Sequence, residues 1–249
     1  MYHFFVEPSQ IKGHKIIITG SDVNHIKNVL RMKAGEEIAV SNGIDGKEYR
    51  CGITEFTQDE VICDLRFIKE DGVELPSKIY LFQGLPKADK MELIIQKAVE
   101  LGAYEIIPLA AKRSVVKLDE KKAKNRQLRW QGIAEAAAKQ SKRAVIPQVK
   151  ELMSMHEAAA YAESMDVKLI PYELADNMTK TKELIGNVKP SESVAIFIGP
   201  EGGFEENEIA EALESGILPI TLGKRILRTE TAGLAVLSWL MYHLEEDEA

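Results

Sequence analysis

Val194-Ala195-Ile196-Phe197-Ile198-Gly199-Pro200-Glu201-Gly202-Gly203-Phe204 is the stretch on which the reading of this 249-residue chain turns. Five apolar residues without a polar break predict a buried strand in a parallel sheet covered on both faces. The run stops at Gly199-Pro200, because proline cannot donate to a ladder and pushes the preceding residue toward extended geometry. Gly202-Gly203 permits positive φ and lets a ligand approach bare backbone. The helix expected next, over residues 205–215, has carboxylates in its first turn and apolar Ile209 and Leu213. A strand, a glycine turn at its carboxyl end and a helix mark the usual ligand crevice of an open α/β sheet.

The same logic recurs downstream. Residues 217–222 read as another buried strand, and Gly223-Lys224-Arg225-Ile226-Leu227-Arg228-Thr229-Glu230-Thr231-Ala232 as a loop entering a helix. Two such loops at neighbouring strand tips are expected to wall one pocket. Upstream, residues 78–85, 104–109 and 167–172 read as strands. Residues 90–101 read as a helix with Met91, Ile94, Ile95, Ala98 and Leu101 at three- and four-residue steps and Gly102 as its stop. Strands alternating with helices predict a parallel sheet. The last helix, expected from Thr231, carries Leu234, Leu237, Leu240, Met241 and Leu244 with Val236 and Trp239 on a second face. Its own sheet covers one stripe, and a second copy of the chain would cover the other.

Residues 1–72 have a different rhythm. Short apolar runs at 15–19, 37–41, 49–53 and 61–65, with turn signals at Asn42-Gly43 and Asp45-Gly46, predict a small β-barrel. Residues 21–32 read as a helix capped at Ser21, with His25 and Arg31 on or beside it. The polar stretch 69–76, with Gly72 and Pro76, sets a boundary between a domain over 1–72 and one over 73–249.

The net charge of −7 argues against a polyanionic partner until it is divided along the chain. Residues 112–150 hold twelve Lys and Arg against Asp119, Glu120 and Glu135, an excess of +9, while residues 151–214 hold four lysines against fourteen acids. One face is thus expected to meet a polyanion and another to avoid it. The amino terminus lacks a basic stretch followed by a long apolar segment, so no signal peptide is read, and no run approaches the roughly 20 apolar residues a bilayer needs. Cys51 and Cys63, without a metal-ligand spacing, predict reduced thiols, a cytoplasmic chain and no metal.

No dinucleotide or triphosphate glycine loop, nucleophile elbow or zinc-protease helix is present. Gly199-Pro200-Glu201-Gly202-Gly203 and Leu222-Gly223-x-Arg225-Ile226-Leu227-Arg228-x-Glu230-Thr231-Ala232 instead resemble the two cofactor loops of the knotted (SPOUT) RNA methyltransferases. Within these the chain is most similar to the 16S ribosomal RNA uracil-N3 methyltransferase family. Asn28-Val29-Leu30-Arg31-Met32, Gly84-Leu85-Pro86-Lys87, Gln96-Lys97-x-x-Glu100-Leu101-Gly102, Arg113-Ser114, Arg129-Trp130, Glu135-Ala136-Ala137-x-x-Gln140-Ser141-x-Arg143 and Pro147 match as well, so the resemblance runs nearly end to end. One departure is His3, which stands before Phe4-Phe5 where the family usually has arginine.

The resemblance implies an α/β fold: an N-terminal PUA-like barrel, then a parallel-sheet domain whose carboxyl end threads a deep trefoil knot, in a homodimer. It implies S-adenosylmethionine held by Tyr172, Glu173, Gly199, Pro200, Glu201, Gly202, Leu222, Gly223, Ile226 and Leu227. Uracil N3 is a poor nucleophile until its proton leaves. Arg228 is the candidate to stabilise the resulting anion, with Glu201 or Glu230 as base or orienting group. The 16S RNA or small subunit is expected to meet Lys112, Arg113, Arg129 and Arg143, and farther away His25, Arg31 and Lys33. Three rival readings remain at this stage: a knotted methyltransferase aimed at another RNA or base, a non-catalytic RNA-binding factor of ribosome assembly, and a small-molecule α/β enzyme with the basic region incidental.

Overall fold

The computed structural model describes residues 1–70, 72–172 and 177–245. The chain forms two compact units, one of residues 1–74 with 138–146 and one of 75–137 with 147–249.

The first unit is a single six-stranded sheet around one core. Its strands are β1 (His3–Phe5), β2 (Ile11–Lys12), β3 (Lys15–Thr19), β4 (Glu37–Ser41), β5 (Glu48–Phe56) and β6 (Glu60–Lys69), in the order β1-β4-β5-β6-β3-β2. All pairs are antiparallel except β1 with β4. Alternate residues Ile16 and Ile18, Ile38 and Val40, Cys51 and Ile53, and Val61 and Cys63 point inward, with Phe4, Val23 and Ile26 closing the core. The helix expected over 21–32 differs in kind. It is one α-turn, α1 (Ser21–Asn24), running into a π-helix at His25–Val29, and Arg31 follows at φ 53°. Gly20, at φ 75°, takes the N-cap position with no side-chain cap, so Ser21 lies inside the helix. A residue already in helical geometry cannot turn its hydroxyl back onto the free amides of the first turn as an extended N-cap residue does, which is why the capping reading fails.

The second unit is a six-stranded parallel sheet. Its strands are β7 (Lys78–Gly84), β8 (Glu105–Leu109), β9 (Gln148–Val149), β10 (Val167–Pro171), β11 (Ser193–Ile198) and β12 (Leu218–Ile220), in the order β12-β10-β11-β7-β8-β9. Its helices are α2 (Lys90–Glu100), α3 (Glu120–Ser141), α4 (Met155–Tyr161), α5 (Met178–Gly186), α6 (Glu206–Glu214) and α7 (Thr229–Leu244). The last four residues of α3 group with the first unit. Side chains alternate between the two faces of the sheet. Phe82 and Phe197 stack at 4.3 Å on the face covered by Met155, Ala158, Ile209 and Ala212. On the other face α7 lies close, because a Cβ at Gly233 would sit only 3.4 Å from Leu81 and 3.5 Å from Ile198. Both faces are therefore covered, as the unbroken apolar run of β11 predicts. α2 ends where expected, with Gly102 at φ 86° supplying the left-handed stop. The strand expected over 217–222 shrinks to three residues, since the chain turns away at Thr221, whose N–H is taken by Thr181 Oγ1 at 3.0 Å.

Candidate active site

All pairs in this sheet are parallel, so the ends of β7, β10, β11 and β12 open on the same side. The two glycine loops follow β11 and β12. These strands are not neighbours: β10 lies between them, placing the loops two strand spacings apart, about 10 Å. The gap is spanned by the end of β10, where Tyr172 N–H donates to Ile220 O at 3.0 Å. Glu173 lies outside the described residues.

The loop after β11 is held tightly at its base. Gly203 N–H closes a turn on Pro200 O at 2.9 Å, with Gly203 at φ 68°. A Cβ at Gly84 would lie 2.6 Å from Pro200, and one at Gly202 would lie 3.1 Å from Arg113 Cβ, so the turn sits wedged between the end of β7 and the strand-following segment of β8. Arg113 Nη1 donates to Gly202 O at 3.2 Å. Buried Thr229, the first residue of α7, donates from Oγ1 to Gly199 O at 2.6 Å and accepts from Gln83 Nε2 at 2.9 Å. Gln83 Nε2 also donates to Gly84 O.

A second layer lies outside that relay. Glu201 accepts from Lys87 N–H at 3.1 and 3.3 Å and from Lys90 Nζ at 3.1 Å. The same ammonium stands 3.2 Å from Glu230 Oε2. Burial disfavours the charge on both carboxyls. Backbone N–H groups and the Lys90 ammonium outweigh it and hold Glu201 and Glu230 below the usual carboxylate range, with Arg228 adding to the effect on Glu230. Lys90 is raised in turn, by hydrogen bonding to Glu201 and then to Glu230. Two ion-paired, acid-shifted carboxylates are poor proton acceptors and good orienting groups. Arg228 occupies the N-cap position of α7, is exposed, and makes no ion pair or side-chain hydrogen bond among the described residues.

The loops fit S-adenosylmethionine on two observations. Gly203 at φ 68° faces open space and Gly223 at φ 100° faces only Met178 Cε at 3.5 Å, so bare backbone is presented on both loops. Leu222 and Leu227 are half-buried apolar groups, whereas Ile226 is 93% exposed at the outer rim.

The other sequence candidates divide. Lys112 and Arg113 are exposed beside the glycine turn, Lys112 N–H donating to buried Glu208 at 2.9 Å and its ammonium 3.8 Å from Glu205. Arg129 is exposed and paired with Glu92 at 2.7 Å. In the first unit His25, Arg31 and Lys33 are exposed. Arg143 is not a surface group. It is 3% exposed and its guanidinium is engaged by Glu74, a pairing that spacing along the chain does not reveal. Lys87, Lys90, Gln83 and Thr229 were not singled out as site residues from sequence. Their signal was Gly84-Leu85-Pro86-Lys87, a glycine and proline break at the carboxyl end of the strand that pairs with β11.

Among the described residues no cluster of metal-ligating side chains occurs, and no helix is long and apolar enough to cross a membrane. Residues 73–241 match the RNA methyltransferase domain, and residues 18–65 match the RNA methyltransferase PUA domain. The chain is 40% identical over 251 residues to ribosomal RNA small subunit methyltransferase E of Bacillus subtilis, covering 98% of each. It is 36% identical to the protein of the same name from Mesomycoplasma hyopneumoniae, over 96% of this chain and 98% of that one. The crystal structure of ribosomal RNA small subunit methyltransferase E from Neisseria gonorrhoeae bound to S-adenosyl methionine superimposes with a TM-score of 0.82 at 32% identity, covering 97% of each chain.

Proposed function

The chain belongs to the RNA methyltransferase family, and on that premise we propose that it carries a methyl group from S-adenosylmethionine to N3 of a uridine in the 16S RNA of the small ribosomal subunit. It is an S-adenosylmethionine-dependent ribosomal RNA methyltransferase, a reading supported by the names of its whole-length relatives and by the donor bound in the similar crystal structure. The observation that carries the reading is the convergence of both glycine loops, Glu201, Glu230 and an Arg228 unpaired among the described residues at one end of a parallel sheet.

The donor, when bound, supplies an electrophilic methyl group on a sulfonium. Tyr172, the turn 199–202 and the loop 222–227 would hold it, with Glu173 assigned to the same site from the sequence alone. The chain's own residues then act on the acceptor base. Arg228, without an ion-pair partner among the described residues, would stabilise the negative charge spread over the uracil carbonyls once the N3 proton passes to solvent. Glu230 is held in place by Lys90, which fixes the first turn of α7 directly after Arg228. Positioning of base against methyl supplies much of the rate.

Residues 1–72 form the RNA-gripping PUA-like domain through His25, Arg31 and Lys33, and residues 73–249 the catalytic domain, with Lys112, Arg113 and Arg129 meeting phosphates. Threading of the C-terminal segment as a trefoil knot accords with Thr229 lying over Gly199 while α7 packs on Leu81 and Ile198. Tyr242, 87% exposed, and half-buried Trp239 and Met241 on α7 support a homodimer. The enzyme acts in the cytoplasm, where ribosomes are made. Incubating the protein with methyl-labelled donor and separated RNAs tests the substrate. Label is expected in small-subunit RNA; label only in large-subunit RNA or tRNA refutes the assignment.

A further inference from the structure

Lys90 stands where three segments of the second unit meet. Its ammonium lies 3.1 Å from Glu201, in the turn after β11, and 3.2 Å from Glu230, in the first turn of α7. Lys90 itself opens α2, directly after the loop that follows β7. The loop before it is shaped to serve this contact. Ala88 is held at φ 54°, a left-handed conformation that is strained for a non-glycine residue, while Lys87 N–H donates to the same Glu201 carboxylate. Beneath the cluster, the Gln83–Thr229–Gly199 hydrogen bonds join the same three segments.

We propose that Lys90 is a positioning residue of the methyl-transfer site, whose ammonium locks the donor-binding turn at Glu201 to the Arg228-bearing end of α7 at Glu230. The inference rests on the reading that these loops hold the donor. Without the shared cation, two carboxylates face each other across the loops, and their repulsion pushes the turn away from α7. A proton taken up between them relieves that repulsion, so the damage depends on pH.

Calorimetric titration of the full-length protein with S-adenosylmethionine and with S-adenosylhomocysteine, from pH 5.5 to 8, tests this. Both carboxylates stay ionised in the unaltered chain, so its pH dependence is that of the ligand, and each variant is read as a ratio to the unaltered chain at the same pH. Lys90→Met binds about tenfold more weakly at pH 8, the scale of one charge-assisted contact, and the deficit shrinks toward pH 5.5. Lys90→Arg, which keeps the cation, stays within about threefold of the unaltered chain. Removing one charge from the uncompensated pair in K90M/E201Q restores part of the affinity at pH 8. Should Lys90→Met be too unstable to titrate, Lys90→Arg and Glu201→Gln are compared alone, and a larger loss for the arginine variant contradicts the proposal. Unchanged affinity in Lys90→Met, or a deficit equal at every pH, overturns it. Failure of the unaltered chain to bind either ligand removes the reading of the loops themselves.

Discussion

Thr229 Oγ1 donates to Gly199 O at 2.6 Å, joining the start of the last helix to the first residue of the glycine turn thirty positions earlier. Thr229 is buried, and its hydroxyl also receives Gln83 Nε2. Valine there keeps the shape and leaves the half-buried Gly199 carbonyl without its donor, so Thr229→Val is expected to destabilise by about 1–3 kcal/mol. Thr229→Ser keeps the hydroxyl and loses only a methyl, about 1 kcal/mol. Urea denaturation of the three proteins measures both.

Arg228 has no carboxylate partner among the described residues, because Lys90 takes Glu230. A guanidinium left free beside the donor loops is expected to act on the reacting base and not on the fold. Arg228→Ala should lower the methylation rate about 10²- to 10³-fold while donor affinity and thermal stability stay near those of the unaltered chain. An unchanged rate removes Arg228 from the chemistry.

Arg143 and Arg113, both basic residues of the same stretch, are predicted to fail differently when replaced. Arg143 is buried against Glu74, so Arg143→Met leaves a carboxylate without its partner and costs about 3 kcal/mol in the first unit. Arg113 is exposed, so Arg113→Gln is expected to spare stability and reduce the salt dependence of RNA binding by about one phosphate contact. Denaturation and binding at two salt concentrations separate the two effects.

His3 turns inward, its Nε2 2.9 Å from Ser41 Oγ and its ring 5.3 Å from that of Phe5. Burial lowers its pKa, Glu48 opposes this, and Arg50, Lys139 and Lys142 add to the lowering. The folded chain thus holds His3 neutral where the unfolded chain is protonated. Its contribution to stability is complete above the unfolded value of about 6.5 and is lost as pH falls toward the folded value. Urea midpoints at pH 7.5 and 5.5 should show that loss, and His3→Gln should reduce it.

Much of this architecture is written locally in the chain. The unbroken run of β11, the three- and four-residue steps of α2 and its stop at Gly102 each encode an element by side-chain periodicity or backbone freedom alone. Both glycine loops, and with them Glu201 and Glu230, were legible because glycine and proline punctuate strands visibly. What stayed hidden depends on distant partners. β1 is three residues long and pairs in parallel with β4, so nothing in its own pattern declares it. Residues 138–146 group with the first unit although a helix of the second leads into them. The π-helix at His25–Val29 and left-handed Arg31 are backbone departures in a stretch that helical periodicity alone reads as continuous α. Lys90 looked like one charge on a helix until Glu201 and Glu230 arrived from 111 and 140 positions away.

The identity of the modified nucleoside is the most direct test of the central claim. Small-subunit RNA from cells lacking this protein, treated with the purified protein and labelled donor, is digested to nucleosides and separated by mass spectrometry. The account predicts label in N3-methyluridine from that RNA, lost with Arg228→Ala. Label in any other nucleoside, or none in small-subunit RNA from a protein that binds the donor, contradicts it.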